Sequence, residues 1–201
     1  RLLKKLQIRN ESTSLESHRL KKGKIDTRRV YASDFTEDIF KRIDRSNYKP
    51  LSIHLSIDGS GSMHGEKWRS TLINSIALGY VSFNVGNIDL VITIRTSGDL
   101  EGKHNHAPLL IFCFDSKINK VHDLKRITNY RLTGSTPEGL CLDALNKFIP
   151  ASSYYLDSYL INMSDGMPNF RTTNGTHYIR EEAYTHTAGV VNKIKKKNVK
   201  L

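Results

Sequence analysis

Cysteine is scarce in this chain: Cys113 and Cys141 are the two among 201 residues, and each sits in apolar sequence. Two separate thiols make no disulfide framework, so they read as small buried hydrophobes of a reducing compartment rather than as a bridge or a metal pair. Long apolar runs are missing as well. No stretch approaches the roughly 20 residues that cross a bilayer. No charged-then-apolar leader stands at Arg1, so the chain reads as a piece of a longer protein with any targeting signal outside it. Two catalytic signatures are also absent. A phosphate loop needs G-x-x-x-x-G-K-[ST], but Gly65 is followed by Glu66 and Lys67 by Trp68. A nucleophile elbow needs Gly-x-Ser-x-Gly, and neither Ser60 nor Ser62 has glycine at both offsets. There is no internal repeat.

What the chain has in excess is positive charge. The formal net charge is +11, loaded at both ends by Arg1, Lys4, Lys5, Arg9, Arg19, Lys21, Lys22 and Lys24, and by Lys193, Lys195, Lys196, Lys197 and Lys200. Such a surface favours acidic partners. No aromatic residue interleaves with the C-terminal lysines, so the stacking half of a single-strand-binding surface is missing there and the run reads as a solvated helix face. Nucleic acid is not the expected partner.

Hydrophobic spacing divides the chain near Tyr48. Residues 1–48 read as a basic lead-in: a short amphipathic helix on Leu2, Leu3, Leu6 and Ile8, a polar connection through "NESTSLESHRLKKGKIDTRR" broken at Gly23, and a small element at "DFTEDIFKRI". Residues 49–201 alternate strand and helix. Leu51, Ile53, Leu55 and Ile57 mark a first strand, although Ser52, His54 and Ser56 interrupt what should be an almost wholly apolar run if both faces are buried. "GEKWRSTLINSIALGYVSFNVG" predicts a long helix with Trp68, Leu72, Ile73, Ile76 and Val81 inward. "NIDLVITIRTS" and "APLLIFCFDS" predict a hairpin, "TPEGLCLDALNKFI" a helix with Pro137 in its first turn, and "SYLINMSDG" a strand. "HYIREEAYTHTAGVVNKIKKK" predicts a last helix, and "NVKL" the start of a strand that is not completed. The pattern is that of an α/β, Rossmann-like, doubly wound, mainly parallel sheet, truncated at its C-terminus and preceded by a short helical lead-in.

The first strand runs into Asp58-Gly59-Ser60-Gly61-Ser62. Alone, one carboxylate and two hydroxyls in a turn say little. Two further turns add weight: "LTGSTPEG" brings Thr136 to a loop before a helix, and "NMSDGMP" brings Asp165 to the end of another strand. In a doubly wound sheet the carboxyl ends of strands meet at a crevice where the winding reverses. If the strands of Asp58 and Asp165 are neighbours there, Asp58, Ser60, Ser62, Thr136 and Asp165 converge as five hard oxygen donors, which suit Mg2+ or Mn2+ rather than zinc.

D-x-S-x-S, then G-x-T-P, then S-D-G resembles the metal-ion-dependent adhesion site (MIDAS) of von Willebrand factor A domains, a likeness covering Leu51 to the chain end. More narrowly, "GKIDTRRV", "EDIFKRI" and "SDGMP" resemble the intracellular branch of that family, in particular the cobaltochelatase CobT subunits. Magnesium-chelatase D subunits and the partners of MoxR-type AAA+ ATPases are related to these. The resemblance implies that Ser60, Ser62 and Thr136 coordinate Mg2+ or Mn2+ closely while Asp58 and Asp165 act partly through water. It further implies a cytoplasmic, non-catalytic recognition subunit, with an acidic residue of another protein completing the metal and a CobS- or MoxR-like AAA+ ATPase as motor. Cobalt insertion into a corrin during cobalamin biosynthesis is the reaction the chelatase version would serve. Two other readings stay open: an extracellular adhesion domain, which the sequons at Asn10 and Asn174 permit, and RNA binding within a ribonucleoprotein, which the basic charge permits.

Secondary features carry plainer expectations. His104-Asn105-His106 is expected at an exposed hairpin tip, His64 at the surface or on the rim of the metal turn, and Glu138 as a helix cap. Tyr154, Tyr155 and Tyr159 are expected to pack.

Overall fold

A computed structural model describes residues 13–30, 39–46, 49–99, 106–171 and 177–201. The chain divides into two compact units, residues 1–48 and 49–201. No helix among the described residues is long and apolar enough to cross a membrane.

In the first unit β1 (Thr13–Leu20), β2 (Lys24–Ile25) and β3 (Phe40–Ser46) form an antiparallel sheet in the order β1-β3-β2, with one helical turn, α1 (Thr27–Val30), before β3. This corrects the expected polar connection: residues 13–20 are a strand paired with β3, Thr13 to Ser46 and Glu16 to Ile43 among others. The reason is that a ladder satisfies backbone groups whatever the side chains are, so a polar strand gives no hydropathy signal. Buried Asp26 anchors the unit by accepting from His18 Nδ1 at 2.9 Å, and that hydrogen bond holds its carboxyl below the usual range. The expected helix on Leu2 to Ile8 lies outside the described residues.

The second unit is built on a four-stranded sheet of β4 (Leu51–Asp58), β5 (Ile88–Asp99), β6 (His106–Asp115) and β7 (Asp157–Met163), ordered β6-β5-β4-β7. β4 runs parallel to both β5 and β7, while β5 and β6 form the expected antiparallel pair. Flanking helices are α2 (Glu66–Asn84), the short α3 (Lys125–Thr128), α4 (Glu138–Leu145) and α5 (Arg180–Lys195); β8 (Phe170–Arg171) and β9 (His177–Tyr178) form a small ribbon. The result is a Rossmann-like α/β fold, a central, mainly parallel sheet flanked by helices. From β4 the chain moves to β5 on one side, yet β7 lies on the other. The winding therefore reverses at β4, and the carboxyl ends of β4 and β7 stand side by side.

His54 and Ser56, the buried polar residues in the middle of β4, both find partners on β5. Leu55 and Ile57 are fully buried on one face, with Ile92 and Ile94 of β5. On the other face His54 Nε2 lies 3.1 Å from Thr93 Oγ1, and Ser56 Oγ accepts from Arg95 at 2.8 Å. Burial drives the His54 imidazole down to about 4, so it sits in the sheet uncharged. Leu142, Leu145 and Ile149 pack with Leu160 of β7 and with Val190 and Ile194 of α5. Cys113 and Cys141 are buried free thiols, pushed up to about 11 and about 12 by that burial.

Helix α2 departs from its expected face at one position, and its most buried residues are small ones. Of the residues expected inward, Val81 is buried and Trp68, Leu72 and Ile76 are half-buried, but Ile73 is 59% exposed, and the other buried positions are Thr71, Ser75, Gly79 and Ser82. Small side chains let the helix approach closely: a Cβ on Gly79 would stand 2.5 Å from Leu124. The buried hydroxyls of Ser75 and Ser82 return to the helix's own carbonyls. At the other end of the unit, Leu160 N–H donates to Lys200 C=O at 2.9 Å and Lys200 N–H to Ser158 C=O at 3.0 Å, placing "NVKL" parallel to β7.

Candidate metal centre

β4 delivers Asp58, fully buried, to the point where the winding reverses. Its Oδ1 accepts the Ser60 N–H at 2.9 Å and its Oδ2 accepts the Ser164 hydroxyl at 3.0 Å, so the carboxylate ties the turn after β4 to the turn after β7. The Ser60 and Ser62 hydroxyl oxygens are 2.9 Å apart, and Ser62 donates to Asp165 Oδ1 at 2.9 Å. Asp165 Oδ2 accepts from Lys67 Nζ at 2.5 Å. The Lys67 ammonium, helped by the Ser62 hydroxyl, holds the Asp165 carboxyl below its ordinary value.

Thr136 arrives from the loop before α4. Its backbone pairs in both directions with Asn169, each bond 2.9 Å, and Thr133 N–H donates to Gly59 C=O at 3.1 Å. Gly134 has φ 78°, and a Cβ there would stand 2.2 Å from the Ser97 carbonyl oxygen. Ser135 N–H donates to Ser97 Oγ at 2.7 Å, completing the latch between this loop and β5. Thr136, Ser60 and Ser62 line one open cleft of about 330 Å3, with Gly134, Gly166 and Met167 on its rim. The structure therefore links Ser60, Ser62 and Asp165 in one hydrogen-bonded chain, sets Asp58 behind Ser60, and places Thr136 on the same cleft.

Do these residues fit a metal? Among the described residues no three His, Cys, Asp or Glu side chains gather into a possible metal group. What the cleft offers is hydroxyl oxygen, beside a carboxylate that already holds a cation in the form of Lys67. Hydroxyl and carboxylate oxygens are hard donors, the class that Mg2+ and Mn2+ prefer, so the chemistry of these side chains is compatible with such an ion.

Several site features have no counterpart in the expectations. Lys67 and Ser164 both engage the aspartates. Glu138, expected as a cap, opens α4 but is buried and accepts from Arg95 and Asn162, while Pro137, expected in the first turn, stands immediately before the helix. A lone arginine in the apolar run "LVITIRTS" was the available signal, since a charge inside a buried strand needs a partner.

The remaining candidates sort simply. His64 is exposed. His104 and Asn105 lie outside the described residues, but His106 is no loose tip: it stacks on Phe170, with Nδ1 3.0 Å from Asp99 and Nε2 2.9 Å from Ser97 Oγ. Tyr154 and Tyr155 are exposed rather than packed inward, meeting each other edge-on at 5.1 Å, whereas Tyr159 is half-buried under Lys200. In the C-terminal lysine run, Lys197 Nζ donates to the carbonyls of Asn146 and Ile149, and Lys193 pairs with Asp143 at 3.4 Å. Lys197 thereby satisfies carbonyls just past the end of α4.

No protein-family model and no curated protein matches the chain. Solved structures do. The pilus adhesin SpaC from Lactobacillus rhamnosus GG, in its open conformation, is similar at TM-score 0.55 and 14% identity over 77% of this chain. Another crystal form of that adhesin gives 0.52 at 15% identity. The vWF domain of the type V pili tip protein Mfa5 from Porphyromonas gingivalis gives 0.43 at 19% identity, over 64% of this chain and 42% of that one. At these identities the likeness to SpaC is one of fold. The chain spans about a quarter of the adhesin's length, 23%.

Proposed function

We propose that the chain is a divalent-cation-dependent recognition module. Ser60, Ser62, Thr136 and Asp165, with Asp58 behind them, would hold Mg2+ or Mn2+, and the ion would supply an open position for an acidic side chain of another protein. The observation that carries this is the Ser60–Ser62–Asp165 chain closed by a cation, Lys67, at the junction of two parallel strands. Charge counting gives the preference for an acid. Two aspartates balance one divalent ion and three hydroxyls add nothing, so a further anionic oxygen is still attracted. The protein's own residues do the positioning: Asp58 fixes the Ser60 backbone, Ser62 orients Asp165, and the Gly134 turn sets Thr136.

In its finer form the reading is a cytoplasmic CobT-like subunit, coupled through this centre to a CobS- or MoxR-like AAA+ ATPase, with a corrin as the client of a cobaltochelatase. "GKIDTRRV", "EDIFKRI" and "SDGMP" support it. The fold shared with the pilus adhesin SpaC favours a second reading, adhesion to a carboxylate on an extracellular surface. Immobilised chain offered the AAA+ ATPase of the same genome should retain it in Mg2+ and release it in EDTA. Retention indifferent to EDTA contradicts the metal reading. Absence of ATPase retention, with Mg2+-dependent capture on a cell or matrix surface, replaces the motor by adhesion.

A further inference from the structure

We infer that Arg95 is the positioning residue of the metal centre, one guanidinium holding the three ligand-bearing segments in register; this deepens the metal reading and rests on it. Arg95, in β5, is fully buried. Nη1 donates to Ser56 Oγ at 2.8 Å, two residues before Asp58. Nη2 donates to the Met163 carbonyl at 3.3 Å, two residues before Asp165, and to Glu138 Oε1 at 3.2 Å, two residues after Thr136. Asn162 closes the network: its Oδ1 accepts from Nη1, and its Nδ2 donates to the same Glu138 oxygen at 2.6 Å. Each of the three segments is thus gripped two residues from a proposed ligand, by a side chain that itself coordinates nothing.

Stability alone does not explain this residue. A buried ion pair is costly to desolvate, and apolar replacement of both partners is often neutral or better. Here the cost is raised further, because Arg95 Nε has no acceptor among the described residues. Burial pulls the guanidinium below its ordinary pKa, while Glu138 and Asp58 oppose that. Pairing with Glu138 offsets the positive charge that Arg95 would otherwise present to the ion. A planar fork reaches acceptors on several sides at once, which a lysine ammonium does not.

The test replaces both charges together, Arg95→Met with Glu138→Met, beside the single Arg95→Lys. The double variant should melt near the wild type yet bind Mg2+ about 10- to 100-fold more weakly, as when an outer-sphere partner is removed. In metal-free protein, amide exchange at residues 60–62, 135–137 and 164–166 should accelerate together. Arg95→Lys should fall between the two, and it keeps the question answerable if the double variant fails to fold. Wild-type Mg2+ affinity with unchanged exchange in either folded variant overturns the assignment. If the wild type itself binds no Mg2+, the metal reading fails by that result, and the exchange arm alone decides on Arg95: concerted loosening supports it and unchanged protection overturns it.

Discussion

Asp58→Ala is expected to abolish the proposed Mg2+ binding in a calorimetric titration while circular dichroism stays that of the folded wild type. The expectation follows from where the carboxylate sits. Asp58 is fully buried, accepts the Ser60 amide on one oxygen and the Ser164 hydroxyl on the other, and so determines both the path of the turn after β4 and its distance from the turn after β7. Removing it takes away one of two negative charges that would balance the ion and leaves a buried amide without an acceptor. The unpaired amide costs about 1–3 kcal/mol, which a unit of this size survives. Asp58→Asn keeps the shape and loses the charge, so it should lose the metal at a smaller cost in stability. An Asp58→Ala titration indistinguishable from the wild type would remove the site as described.

Gly134→Val is expected to lower both stability and the proposed metal affinity. Its φ of 78° lies where a β-branched residue is strained, and the new Cβ would meet the Ser97 carbonyl oxygen at 2.2 Å. Left-handed backbone costs about 1–2 kcal/mol, and overpacking typically another 1–3 kcal/mol. A total of about 3 kcal/mol corresponds to a fall in melting temperature of roughly 6–12 °C for a unit of this size. The loop must move off β5 to relieve the clash, carrying Thr136 out of the cleft. A melting temperature and Mg2+ affinity both at the wild-type level would show that this turn does not set the site.

Much of this was legible in the chain because burial forces a pattern. A parallel strand flanked by helices must be apolar on alternate residues at least, so β4, β5 and β7 announce themselves, and turns at their carboxyl ends place Asp58 and Asp165 on neighbouring strands. Three features were hidden, each for a physical reason. β1 and β3 pair through backbone with polar side chains such as Ser17 and Arg42, and backbone pairing leaves no hydropathy trace. Helix α2 buries Thr71, Ser75, Gly79 and Ser82 beside Val81, so much of its closest packing is through small residues, which a search for large apolar side chains passes over while including the exposed Ile73. The Arg95 network joins residues 39 to 68 positions apart, so the lone arginine in its apolar strand signals that partners are needed but not which residues supply them. His54 and Ser56 looked like defects in a buried strand, and they proved to be the partners of Thr93 and Arg95 on the next one.

The claim on which the rest depends is that a single cation sits within reach of three separate turns. Paramagnetic broadening by substoichiometric Mn2+ reads that directly from the amide spectrum of the whole chain. The account predicts selective loss of signals from residues 59–62, 134–136 and 164–166, reversed by excess Mg2+ and absent in Asp58→Ala. Broadening at one turn only, or spread over exposed carboxylates such as Glu66 and Asp143, would contradict it.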